Sequence, residues 1–154
     1  MRAPDDLRTD ARPNGKDALE RMAALAEVAR KEETWAFDAL SRFVEECAGL
    51  RLEPLGIAAV PDADRGRVRL LEILGQIIRA AHDEGALRED VGAGDVLGVV
   101  GLLVRGLPTL PADLGDELGR RAARLVLAGM RAHPAPAPPG EAMTAEDLIH
   151  RLPR

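Results

Sequence analysis

Only a few side chains in this sequence have the chemistry for catalysis or metal binding. Cys47 and His82 could in principle form a nucleophile and its base. Cys47, however, lies on the apolar side of a predicted helix, where a cysteine usually serves packing. Asp147 and His150 share one face of a predicted helix, but a metal site needs three or four ligands. We therefore expect no catalytic residues, no metal site, no cofactor and no enzyme activity.

An anion site is the next candidate, because arginines are frequent toward the C-terminal end. Arg120, Arg121 and Arg124 alternate with acidic side chains at helical spacing, which favours a solvated helix face instead. The net charge is −5, and no clustered basic face offsets it. Binding to DNA needs such a face to neutralise phosphates, so we expect no direct DNA binding by this chain alone.

The compartment can be predicted from the cysteine count and the hydropathy. A single cysteine excludes an internal disulfide and suits a reducing environment. The first residues lack the apolar run of a secretory signal. The longest apolar stretches are also much shorter than the about 20 residues that cross a bilayer. We expect a cytoplasmic protein that does not contact a membrane.

Composition favours one all-helical domain. Of the 154 residues, 46% are hydrophobic but only 2% are aromatic, and there is no tyrosine. The core must therefore consist of Leu, Val, Ile and Ala, and most of these residues favour helix over strand.

The apolar periodicity divides the chain into three parts. We expect residues 1–13 to be a disordered lead-in, residues 14–132 a helical domain, and residues 133–154 a proline-rich tail with a short helix. The predicted helices cover residues 15–31, 35–49, 63–84, 94–107, 113–132 and 145–152, with a short helical piece over 54–60.

Helix ends can also be predicted. Thr34 is expected to cap the second helix, and Thr144 with Asp147 to form a capping box. Gly85 is expected to end the 63–84 helix in the left-handed conformation, with Leu87 folding back on the last turn. That helix is apolar around most of its circumference, which predicts a central position in the bundle.

The strongest hypothesis from the sequence concerns self-association through the 94–107 helix. Residues 96–104 include no polar side chain, only valine, leucine and the glycines Gly98 and Gly101. In so short a chain, one side of this helix is expected to meet the core and the other a second copy, with the glycines allowing close approach. The alternative is a helix buried entirely within one monomer.

A longer stretch resembles a known family. The segment from Ala81 to Val91, which contains Gly85-Ala-Leu-Arg-Glu-Asp90 and leads into an apolar helix, is similar to the ligand-binding domain of tetracycline-repressor-type (TetR) regulators. In that family a long central helix commonly ends in a Gly-x-Leu-Arg-x-Asp turn. Trp35, Ala39, Leu40 and Phe43 on an early helix, and the tail from Pro138 to Asp147, support the resemblance.

The resemblance implies a TetR C-terminal-domain-like bundle of about six to seven helices that forms a homodimer through its last two long helices. Family members carry a helix-turn-helix module upstream, whereas the likeness here begins only around Pro13 to Leu19. We therefore expect no DNA-binding module in this chain, either because the gene start is truncated or because the domain stands alone. Gly92 and Gly94 replace capping residues common in the family, so the 94–107 helix is expected to begin loosely.

The resemblance further implies a pocket for a small hydrophobic effector, with ordinary core packing as the alternative for each residue. Its expected lining is Phe43, Cys47, Leu74, Ile78, His82, Val100 and Val104. The expected dimer interface is Val96, Val99, Leu103, Leu118, Ala122, Leu125, Val126 and Gly129. The predicted function is the ligand-sensing and dimerisation domain of a transcriptional regulator. The alternative is a helical interaction or scaffold domain, for instance a dominant-negative partner of an intact regulator.

Overall fold

A computed structural model describes residues 15–50, 63–106, 109–134 and 140–153. Within them lie the helices α1 (Gly15–Glu32), α2 (Ala36–Ala48), α3 (Ala63–Asp83), α4 (Ala93–Arg105), α5 (Ala112–Met130) and α6 (Ala145–Arg151). The described residues form no strand, only an isolated antiparallel bridge. The all-helical prediction is confirmed, and the helix bounds differ from the predicted ones by a residue or two. The predicted lead-in and the helical piece over 54–60 lie outside the described residues.

α3 packs most extensively against α1, and it also contacts α2 and, to a smaller extent, α4. Its buried side chains are Leu70, Ile73, Leu74, Ile77, Ile78 and Ala81. Along α1, Ala23, Ala26 and Ala29 are fully buried, so small side chains let the two helices approach closely. At Gly66 of α3 an added Cβ would lie 3.2 Å from the Cβ of Leu19, which fits this close packing.

α2 connects this pair to the rest of the bundle, because it contacts α1, α3, α4 and α5. Phe37, Leu40, Phe43 and Val44 form its buried side and are nearly inaccessible. Arg42, on the other side, binds the carboxylates of Glu32, Glu33 and Glu46. The helix therefore has one apolar and one ionic side, as its periodicity predicts.

The start of α2 differs from the prediction. Trp35 rather than Thr34 occupies the N-cap position, and no side chain at the cap accepts a hydrogen bond. Instead the N–H of Ala36 donates to both carboxylate oxygens of Glu84, at 2.8 and 3.1 Å. Glu84 follows the end of α3, so this hydrogen bond is a tertiary contact. It satisfies an amide at the start of α2, where the sequence predicted a local cap by Thr34.

The turn after α3 confirms its prediction. Gly85 has φ of 70°, a left-handed conformation that favours glycine. The N–H groups of Ala86 and Leu87 both donate to the carbonyl of Ala81, and the Leu87 side chain is buried. The turn therefore closes the helix and directs Leu87 back into the core.

Residues 86–88 then pair with residues 130–132 at the end of α5, and we name this pairing the clasp. The N–H of Arg88 donates to Met130 O at 3.0 Å, and the N–H of Ala132 donates to Ala86 O at 2.9 Å. The Arg88 guanidinium binds both carboxylate oxygens of Asp90 and reaches Gly129 O at 3.4 Å. The family-like Arg-x-Asp pair therefore helps to join the end of α3 to the end of α5.

The predicted capping box of α6 is confirmed. Thr144 Oγ1 accepts the N–H of Asp147, and the Asp147 carboxylate accepts the N–H of Thr144, each at 3.1 Å. Arg151 of α6 forms an ion pair of 2.7 Å with Glu117 of α5. No residue of α6 is buried, so this helix lies at the edge of the bundle. Among the described residues, no helix has the length and hydropathy to cross a membrane.

Candidate self-association surface and predicted pocket

The predicted pocket residues lie together in the core between α2, α3 and α4. Six of the seven are buried in one hydrophobic cluster, namely Phe43, Cys47, Leu74, Ile78, Val100 and Val104. An open depression of about 360 Å³ lies elsewhere, on the outer side of α3, and is lined by Arg65, Val68, Arg69 and Glu72. The predicted effector lining is thus tightly packed, and it stays a prediction.

His82 is half-buried, and its ring already has protein partners. Its Nε2 lies 3.0 Å from Arg88 O and 3.1 Å from Val91 O, so the Nε2–H donates to backbone carbonyls of the turn before α4. The imidazole therefore stabilises the path of the chain between α3 and α4. An effector that used this nitrogen would have to replace these hydrogen bonds.

Cys47 is inert as a nucleophile in this environment. Its side chain is fully buried on α2. Burial, together with the nearby negative charge of Glu46, raises the pKa of the Cys47 thiol to about 12. Because the thiolate is the reactive form, the neutral buried thiol acts as a packing group.

α4 has two apolar sides with different surroundings. Val96, Val100 and Val104 face the core and are buried. On the other side Gly98 is exposed and Leu102 has 72% of its surface accessible. The described residues therefore do not enclose this helix, and its open side has no polar side chain between residues 96 and 104.

α5 also has an apolar side that the bundle does not cover. Leu125 is 49% accessible and Gly129 is exposed, while Leu118 and Ala122 are half-buried on the same side. Val126, which the sequence analysis assigned to the interface, packs against the core cluster. The residues of α5 in the core cluster are different ones, namely Ala123, Leu127 and Met130, while Leu114 is buried outside that cluster. A second partner could therefore cover the open side without disturbing the core.

Glycines on these open sides have no packing reason within the chain. A Cβ added at Gly98, Gly101, Gly119 or Gly129 would meet no atom within 4 Å apart from its own helix backbone and neighbours. Glycine inside a helix costs about 0.5–1 kcal/mol relative to alanine. The described residues do not require these glycines for packing. Close approach of another molecule to these helices would account for glycine at these positions.

The structure places some of the predicted interface residues on the core side of their helices and others on the open sides. Val96 is fully buried on the core side, and Val99 and Leu103 are half-buried against the core cluster. Leu102, absent from the sequence-based set, is the most accessible apolar side chain on α4. Helical spacing puts Leu102 on the same side as Gly98, one turn later, but the spacing does not show that this side is open.

The start of α4 has a hydrogen bond at its cap that the sequence analysis did not predict. Gly92 is its N-cap, and the carboxylate of Asp95 accepts the Gly92 N–H at 2.9 Å. This is the second of the two hydrogen bonds of a capping box. The first would need a side chain at the N-cap position, which Gly92 lacks.

No family model and no curated protein matches this sequence. The likeness to TetR-type regulators therefore depends on the residues and spacings of the chain itself.

Proposed function

We propose that this chain is a self-associating, ligand-sensing domain of the TetR type, and that the open sides of α4 and α5 bind a second copy. The observation that carries the self-association is the exposure of Leu102 and Leu125 on helices whose opposite sides fill the core. With a net charge of −5, the chain is a candidate for protein and small-molecule contacts rather than for DNA contact by itself.

The energetics favour a partner on these sides. Each buried leucine contributes about 1.5–3 kcal/mol relative to an exposed one, and a two-fold interface uses every contact twice. Exposed glycines add to this by letting backbones approach, which increases dispersion contacts. A monomer would retain both the apolar exposure and the cost of the glycines.

The sensing part of the proposal is supported by the resemblance and by the composition of the predicted lining. The predicted lining is mostly aliphatic, with Phe43 and the Cys47 thiol from α2 in the same core cluster and His82 at its edge. Such a lining suits a compact aliphatic effector, since the scarcity of aromatics leaves little surface for stacking on a flat ligand. The core would have to open or expand to admit it.

One observation favours the alternative of an interaction domain without a ligand. The side chains assigned to the pocket are packed in the core cluster, with accessibilities of 7% or less apart from His82. On this alternative they serve stability alone, and only self-association or partner binding remains as the function.

Analytical ultracentrifugation tests the self-association. Leu102→Glu and Leu125→Glu are each expected to convert a dimer into a monomer, because a carboxylate would be buried at the seam. Leu71→Glu on α3 is the matched control, since Leu71 is also exposed, at 39%, but lies on neither open side. A wild-type monomer at micromolar concentration, or equal effects of all three variants, would contradict the proposal.

Methyl NMR tests the sensing. Titration with a panel of medium-chain aliphatic alcohols and carboxylic acids is expected to shift the methyl signals of Leu74, Ile78 and Val100. The methyls of Leu71, which lies on the surface and on neither open side, serve as an internal control. If no compound shifts the core methyls or raises Tm, the chain fits the ligand-free interaction domain.

A further inference from the structure

The C-terminal tail, residues 140–153, approaches one flank of α5 at two points. Nη1 of Arg151 forms the 2.7 Å ion pair with Oε2 of Glu117. A Cβ added at Gly140 would lie 3.2 Å from Nη1 of Arg121. Glu117 and Arg121 are four residues apart on α5, so the two contacts lie on the same side of that helix, one turn apart.

The same flank carries a leucine that is buried without belonging to the core. Leu114 of α5 is 1% accessible, but it is not part of the core cluster. It precedes Glu117 by three residues and Arg121 by seven, and side chains at these spacings share one side of a helix. Because the tail approaches both of those residues, it lies where it can cover Leu114.

The tail has a matching apolar side. Its half-buried residues are Met143, Leu148 and Leu152. Leu148 precedes Arg151 by three residues and so shares its side of α6, whereas Ile149 lies opposite Arg151 and is 68% accessible. Since Arg151 contacts α5, the half-buried side of α6 is the one that faces α5.

From these observations we propose that Leu114, Glu117 and Arg121, which we name the tail site, form a docking site for a short amphipathic helix. The chain's own tail occupies this site and can detach from it while the bundle stays folded. The occupant is specified by its chemistry, namely two leucines four residues apart with an arginine beside them.

Apolar contact contributes more to this docking than charge does. The side chains of Arg151 and Glu117 remain 37% and 52% accessible, and ion pairs this exposed contribute little to stability. Leucine side chains that leave water contribute more, in proportion to the area they bury. The ion pair therefore orients α6, while Leu148 and Leu152 supply most of the affinity for the tail site.

Detachment of the tail is a local event. α6 has seven residues, and isolated helices shorter than about 12–15 residues are marginal in water, so α6 depends on its docked position. None of the described tail residues belongs to the core cluster. The core is therefore kept when the tail leaves, and the tail detaches at a lower free-energy cost than the bundle unfolds.

Release of the tail changes the surface of α5. Leu114 precedes Leu118 by one turn and lies in line with Leu118 and Leu125 on the open side. A detached tail would expose Leu114 and lengthen the apolar surface of α5 by that turn. The tail thus controls access to the first turns of α5, whether or not the chain self-associates.

Thiol reactivity in the full-length chain tests the proposal. Leu114→Cys places a thiol at the tail site, and its rate of reaction with dithiobis(nitrobenzoic acid) follows its exposure. The rate should be low in this variant, and adding Leu148→Ala/Leu152→Ala should raise it by about tenfold, because the docked tail loses its apolar contacts. Ile149→Ala is the matched control and should change the rate by less than about two-fold, since Ile149 is already exposed.

Cys47 serves as an internal reporter of the bundle, because it is fully buried in the core cluster. It should stay unreactive while the thiol at position 114 reacts. Equal acceleration of both thiols would show that the whole bundle opens, and would overturn local release of the tail. A fast reaction at position 114 in the presence of the wild-type tail would overturn the docking itself.

Methyl NMR of the chain with Leu114 intact gives a second measurement that does not depend on the cysteine variant. Leu148→Ala/Leu152→Ala should shift the methyl signals of Leu114, and Ile149→Ala should leave them in place. No shift in the double variant, or equal shifts in both, would mean that another segment covers Leu114 and would overturn the proposal. Sedimentation of the same proteins reports separately on the proposed self-association.

Discussion

Individual side chains act here mainly as connectors between helix ends. Glu84 accepts the N–H of Ala36, the Arg131 guanidinium lies 4.2 Å from the centre of the Phe37 ring, and His82 donates to the turn before α4. These contacts converge where α2 begins and where α3 and α5 end. They depend on tertiary proximity, so no local pattern in the sequence could reveal them.

Glu84→Ala tests the most local of these contacts. The change leaves the first amide of α2 without its acceptor, and we expect a loss of about 0.5–2 kcal/mol in the free energy of unfolding, as for other N-cap removals. Urea denaturation measures it. Glu89→Ala, at an exposed glutamate in the next turn along the chain, is the control and should change stability little. Equal losses in both variants would show that the cap does not contribute.

Cys47 gives the chain a pH-dependent stability term at high pH. Its pKa rises from 9.0 to about 12 on folding because the thiolate would be buried. The unfolded chain therefore loses its proton first, and stability should fall as pH rises from 9 toward 12, by up to about 1.4 kcal/mol per pH unit. With no tyrosine and only two lysines in the chain, few other groups titrate there.

Cys47→Ala should remove that component of the pH dependence while lowering stability at neutral pH through the lost packing. Urea denaturation curves collected from pH 8 to pH 11 for both proteins make the comparison. If the two slopes are the same, the thiol ionises as easily in the folded as in the unfolded chain, contrary to its burial.

Whole helices were more predictable than the contacts between them. Periodicity located the described helices, because their amphipathic patterns and their end signals at Gly85 and Thr144 are local. It did not group the valines of α4 correctly, because Val96 was assigned to the dimer interface and Val100 and Val104 to the pocket, whereas the structure buries all three on one strip. Which strip faces the core depends on where α2 and α3 lie, so the sequence could not separate core valines from the exposed Leu102.

The clasp between residues 86–88 and 130–132 could not be predicted from the sequence. Leu87→Ala tests its contribution to stability. Leu87 is buried and adjoins the backbone pairing with residues 130–132, so we expect a loss of about 2–5 kcal/mol in urea denaturation. Arg88→Ala, which removes an exposed ion pair but keeps the backbone pairing, should cost clearly less. A larger effect at Arg88 would mean that its guanidinium, and not the buried leucine, holds the two helix ends together.

The expected effect of Gly98→Ala on stability depends on whether the protein is a monomer or a dimer. In a monomer the new methyl meets nothing within 4 Å, and the better helix former should raise stability by about 0.5–1 kcal/mol. In a dimer whose α4 helices approach closely at Gly98, the same methyl should separate the backbones and weaken association. Thermal unfolding at low and high protein concentration distinguishes the two, since only the dimer makes Tm depend on concentration.

Gly75→Ala on α3 provides the comparison, because its Cβ also meets nothing and neither open side includes it. We expect Gly75→Ala to raise Tm at every concentration, and Gly98→Ala to raise it at low concentration but lower it at high concentration. If both variants raise Tm equally throughout, α4 does not lie at a close crossing. The glycines of α4 would then destabilise the helix without allowing a close contact.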